Sequence, residues 1–184
     1  MADILLQLLP HVVSSLLHAA LGIHFWNTRW RETDRPLLTQ PMRPWERGAI
    51  FATLAIQAFG LYNGLFGAGG MRFSFSYALS LMLWLAVLIY WLESFRSRMD
   101  GLQPLVLPLA ALGAAAPALF PHLRVVAHAG AWGFQFHFLT AMLAYSVFTL
   151  SALHAVFMGF AERKLHQRAL TRSLGSLPPI LTME

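Results

Sequence analysis

Residues 134–161 read FQFHFLTAMLAYSVFTLSALHAVFMGFA, an unbroken run with no Asp, Glu, Lys or Arg. At about 1.5 Å of rise per residue such a helix is roughly 42 Å long, more than the roughly 30 Å of a bilayer's hydrocarbon core. A helix on a soluble domain needs only one apolar stripe, so a rod apolar all round predicts a membrane span. It is followed by Glu162-Arg163-Lys164-Leu165-His166-Gln167-Arg168, helix-forming and basic, so the helix is expected to protrude past the membrane. No Gly or Pro falls between 160 and 174, which carries the expected helix to about Arg172; Gly175 and Pro178-Pro179 then end it.

Working outward from this run, four more apolar stretches appear at about 4–26, 48–66, 74–95 and 103–120. The reading is all-α: a polytopic transmembrane helix bundle of about five spans, forming one domain over 1–184. The composition agrees, with 57% apolar and 11% charged residues, because so few charges cannot cover a soluble core of this size. The first run follows Met-Ala-Asp with no positive start and no small-residue cleavage site, so it reads as a retained helix. Lys and Arg test the count, since they collect on cytoplasmic loops. Arg29, Arg31, Arg35, Arg43 and Arg47 follow the first run, Arg96 and Arg98 the third, and Arg163, Lys164, Arg168 and Arg172 the fifth, whereas the alternate loops hold only Arg72 and Arg124. That alternation places the N-terminus outside and the tail in the cytoplasm. It also disposes of the net charge of +5 as a nucleic-acid signal, because the arginines sit in loops between spans and share no solvated face.

The fourth run carries Pro104, Pro108 and Pro117 and is barely long enough to cross. Its Ala111, Gly113, Ala114, Ala115 and Ala116 make a flat surface on which a neighbouring helix packs closely, so a packing role is expected.

There is no cysteine, which excludes thiolate metal sites, thiol nucleophiles and haem attachment through CxxCH. No P-loop, HExxH, GxSxG or pair of intramembrane carboxylates is present, so hydrolysis and nucleotide chemistry are not expected. The chemical signal is the set of eight histidines, since ionisable groups inside a membrane usually face a bundle interior. His24 and His166 fall near inner helix ends and His122 in an outer loop, all ordinary places. His11 and His18 are seven residues apart and so share one face of the first helix with Ser14, Ser15 and Gly22. That face serves either hydrogen bonds to neighbouring helices or a ligand. His137 opens the fifth helix and His154 lies about 25 Å further along it. If each helix enters at its outer end, His11 matches His137 in depth and His18 matches His154. Imidazoles from two helices at one depth suit the two faces of a haem iron. His128, in the outer loop, is a further candidate ligand. Trp26, Trp30, Trp45 and Trp132 read as interfacial anchors, Trp84 and Trp91 as a packing stripe, and Tyr145 and Thr149 as cross-helix hydrogen-bonding groups.

The stretch from His137 to Leu165, with Ala144-Tyr145, Phe148-Thr149-Leu150 and Glu162-Arg163-Lys164, resembles the cytochrome c assembly family, in particular its HemX-like and YpjD-like members. So does the ending Leu177-Pro178-Pro179-Ile180-Leu181-Thr182-Met183-Glu184. The likeness is loose over the five-span layout and close over the last 48 residues. It implies a multi-pass protein of a bacterial inner membrane that handles haem for c-type cytochrome maturation, alongside other maturation proteins and membrane lipid. His137 matches the family's histidine, giving His137 and His11 as iron ligands and His18, His154 and His128 as further haem-binding candidates. Haem-lyase members carry a tryptophan-rich outer loop ending in Trp-Asp; here Trp132-Gly133 is the nearest fragment, so a non-enzymatic role is expected. Family members also run on past Leu-Pro-Pro into about three more spans, so the chain corresponds to the N-terminal part of an eight-span layout. A scaffold or regulator of haem metabolism, and a small transporter subunit, are the alternative readings.

Overall fold

The computed structural model describes residues 2–30, 42–66, 72–96, 101–121, 124–125 and 131–175. They form five α-helices: α1 Ala2–Phe25, α2 Pro44–Leu65, α3 Phe75–Glu93, α4 Gln103–Leu119 and α5 Trp132–Gly175. A π-helical turn, Trp26–Trp30, continues α1. Two short strands, β1 Arg72–Phe73 and β2 Arg124–Val125, pair antiparallel and tie the segment before α3 to the segment after α4.

α1, α2, α3 and α5 carry stretches long and apolar enough to cross a membrane, Leu8–Trp30, Pro44–Leu65, Phe75–Glu93 and Trp132–Arg163. α4 is shorter, at 17 residues. It nevertheless runs the length of the bundle. At one end Trp30 Nε1 donates to Gly101 O at 3.1 Å, and at the other Ser76 Oγ donates to Phe120 O at 2.9 Å. The run that looked weakest in the sequence is therefore a through-going helix, and its small residues explain how it packs. Ala110 and Ala114 have no exposed surface, a Cβ on Gly113 would come within 2.4 Å of Leu83 Cδ1, and one on Gly22 within 2.9 Å of Pro108 Cγ. α4 is wedged between α1 and α3 with almost no side-chain spacer, the close approach that small residues permit in membranes.

Backbone carbonyls serve as acceptors for most of the remaining polar contacts between helices. Trp84 and Trp91 donate their indole N–H groups to Leu54 O and Arg47 O on α2, at 2.9 and 3.0 Å, so the tryptophan stripe is a packing device. On α5 the cross-helix hydroxyl is Ser146, which donates to Met82 O on α3 at 2.7 Å. Thr149, expected in that role, bonds Tyr145 O one turn back on its own helix, and Tyr145 is exposed. α5 continues to Gly175, past the expected Arg172, and leans mainly on α3. Only 11% of its apolar window is buried, against 50% for α3, so it stands at the edge of the bundle.

The bundle has two chemically different ends. One, the Tyr77 end, holds the start of α3 and the close of α2 and α4. The other, the Glu46 end, holds the π-turn and the start of α2. An apolar core of Leu21, Phe25, Ile50, Leu54, Val87 and Leu107 fills the half toward Glu46.

Candidate functional site

The polar face of α1 points inward. His11, Ser14 and His18 have no exposed surface, and Ser15 Oγ donates to Ala111 O on α4 at 2.8 Å. Why this face turns in follows from what meets it. On α2, Thr53, Gln57, Gly60 and Gly64 fall at spacings of four, three and four, hence on one helix face. Gly60 takes the His11 ring: a Cβ there would lie 3.2 Å from His11 Cε1 and 2.9 Å from Pro10 Cβ. Four residues on, Gly64 takes Tyr77 of α3, and the Tyr77 and His11 rings meet edge to face with centroids 5.3 Å apart. α1 and α2 run antiparallel, so the contact of His11 with Gly60 sets Gln57 near the level of Ser14 and Thr53 near that of His18.

The result is a buried polar seam between α1, α2 and α3. Gln57, fully buried, donates from Nε2 to Ser80 Oγ at 3.1 Å, leaving Oε1 without a partner. His18 Nδ1 lies 2.9 Å from Ser14 O. A carbonyl only accepts, so Nδ1 must carry the proton and Nε2 a lone pair, and that Nε2 has no partner. His11 lies against the Gly60 backbone, yet neither ring nitrogen closes a hydrogen bond of ordinary geometry. Ser14 Oγ is satisfied locally, donating to His11 O at 3.1 Å.

The other histidines go elsewhere. His137 and His154 are on exposed surface of α5, and His166 is exposed on its overhang. His128 and His122 lie outside the described residues. The pairings by depth are therefore not formed within the chain: His11 and His18 face the interior, while His137 and His154 face away from it. Among the described residues no group of three or more His, Cys, Asp or Glu is arranged to hold a metal ion.

His24 belongs to a separate cluster at the Glu46 end. Glu46 accepts from His24 Nε2 at 3.1 Å, from Arg29 Nη2 at 3.2 Å and from the Arg43 backbone N–H at 2.7 Å. Arg29, read in the sequence as a topology-setting loop charge, is buried here with Glu46. Beside the seam, an apolar groove of about 330 Å³ opens between α2, α3 and α5, walled by Tyr62, Trp84, Trp132, Phe136 and Leu139.

Gln57, Glu46, Tyr77 and the two glycines were not singled out from sequence. Gln57 carried a signal: it is an amide in the middle of an apolar run, on the same helix face as Thr53 and two glycines. Tyr77 and the glycines carried none, since their importance lies in a contact between helices.

No family model, curated protein or solved structure matches the chain.

Proposed function

We propose that this chain is a haem-handling component of c-type cytochrome assembly, set in a bacterial inner membrane with the Tyr77 end outward and the tail in the cytoplasm. The observation that carries this reading is the buried imidazole pair on α1, in which His18 Nε2 has no protein partner. An imidazole that donates from one nitrogen to a carbonyl and keeps a lone pair on the other is prepared as an iron ligand, and His18 has that arrangement. His11 and His18 stand about two helical turns, roughly 10 Å, apart on α1 and cannot both reach one iron, so one of the two would ligate the haem; within one chain the ligand role moves to this pair from His137. Haem would be cargo, an iron porphyrin passed on toward cytochromes outside. The resemblance of the fifth helix and tail to the cytochrome c assembly family supplies the biological setting.

Titrating haemin into the purified protein in lipid nanodiscs tests this. A Soret band at a shifted wavelength is expected. It should be lost when His11 and His18 are both changed to Ala and kept in His137→Ala. A folded wild-type protein that gives no shifted band would leave the non-enzymatic scaffold as the better reading.

Topology is testable independently, because the chain has no cysteine of its own. Gly69→Cys and Ala127→Cys should react with an impermeant thiol reagent in intact cells, while Arg43→Cys, Arg98→Cys and Arg168→Cys should react only after permeabilisation. The reverse pattern would overturn the orientation.

A further inference from the structure

We propose that the outward face of α5 is an interface with a second copy of this chain, the two α5 helices crossing in parallel about a two-fold axis along the membrane normal. The inference stands apart from the haem reading.

The face is what α5 leaves uncovered. Ser146 and Phe157 turn toward the bundle and are buried. Roughly half a turn round the helix from them lie Ala144, Phe148, Ser151, Ala155 and Gly159, all exposed. Gly159 is the odd one among the glycines. Gly22, Gly60, Gly64 and Gly113 also sit inside helices, and at each an added Cβ would meet a side chain of a neighbouring helix at 2.0–2.9 Å. Glycine weakens a helix interior, and at those four positions close packing answers for it. At Gly159 nothing lies within 4 Å. Gly48 and Gly133 are open too, but they stand near the starts of α2 and α5. From Gly159, steps of four residues lead back to Ala155 and Ser151, the spacing that lets two membrane helices cross closely.

That spacing alone would admit any helix; what selects a second copy is the continuation of the face past the membrane. Glu162 and His166, one turn apart, lie on the same side of α5 and are exposed. Two copies inserted by one route share an orientation, so their α5 helices are parallel, and a two-fold axis makes each contact reciprocal. Glu162 of one copy then stands beside the partner's His166, and the partner's Glu162 beside His166. The carboxylate accepts from the imidazole N–H whether the ring is neutral or charged. A two-fold must also keep like charges off its axis. Arg163, Lys164, Arg168 and Arg172 all fall at least about 80° round the helix from this face, so the axis gathers acceptors and donors and no basic residue. The face is thus complementary to itself, whereas a lipid chain offers nothing to either polar group.

The chain has no cysteine, so single cysteines report the contact in native membranes. On mild oxidation Ala155→Cys is expected to give severalfold more disulfide-linked dimer than Val156→Cys, which is exposed at the same depth on the flank of the helix. Equal yields at the two positions would be random collision and would overturn the proposal. A second measurement counts photobleaching steps of labelled protein diluted in lipid vesicles. Gly159→Leu should weaken association about tenfold, while Gly159→Ala, still small enough to fit, and Gly48→Leu, open but on another helix, leave it unchanged. Wild-type protein that bleaches in single steps at every dilution overturns the proposal, whether lipid or another protein then covers the face.

Discussion

Gly64→Ala is expected to destabilise the protein by about 1–3 kcal/mol or more, a large cost for one methyl group. The added Cβ would lie 2.0 Å from Tyr77 Cε1 and 2.6 Å from Cζ, inside any tolerable contact. The ring has nowhere to retreat. Tyr77 is 4% exposed, packs with Leu61 and Leu65, and stands edge-on to His11. Relief must therefore come from parting α2 and α3 or from moving both aromatic rings, and either change opens the seam. A thermal melt in detergent should show a drop of several degrees. Gly159→Ala is the control, since nothing lies within 4 Å of a Cβ there, and on an exposed helix surface Ala is the better helix former. Tyr77→Ala should recover part of the loss in the double variant, because the two changes act on one contact. Equal melts for Gly64→Ala and Gly159→Ala would show that the two helices do not approach as described.

The fold was legible because bilayer thickness acts on long segments, and the five runs needed only length and polarity to be found. α4 shows the margin: its prolines weakened the helical signal, but Pro104 sits at its first turn, where no backbone donor is lost, and α1 and α3 hold the rest. The seam was half legible. Seven-residue spacing put His11 and His18 on one face, and an inward direction followed from the cost of imidazole in lipid. Which helix they would meet did not follow, because matching depth between helices says nothing about rotation about the axis. That is why His137 pairs well with His11 on paper while facing away from the bundle in the structure. Arg29 illustrates the same limit for charge. A loop charge and a buried ion pair look alike in sequence until the partner helix supplies a carboxylate.

Glu46→Ala is expected to have the largest effect of any single truncation, about 3–5 kcal/mol, because it removes the carboxylate from a buried ion pair and leaves the guanidinium behind. Glu46 is 2% exposed and Arg29 is 7% exposed, so water and salt screen neither. Three donors converge on the one carboxylate from two segments, His24 and Arg29 around the π-turn and the backbone N–H of Arg43 at the head of α2. The last of these caps the helix, since Pro44 follows as its first residue and Glu46 sits three positions past the cap. Loss of the carboxylate thus uncaps α2 and unties it from the end of α1 in one step. Arg29→Met with Glu46→Leu should recover much of the stability, because removing both charges leaves apolar groups where α1 and α2 meet. Thermal melts of the two single variants and the double give the coupling directly. The loss from Glu46→Ala should persist at high salt, unlike that of an exposed pair. A melt within 1 °C of wild type, or a loss that vanishes as salt rises, would mean that the pair is solvated and that the Glu46 end of the bundle is held by its apolar core alone.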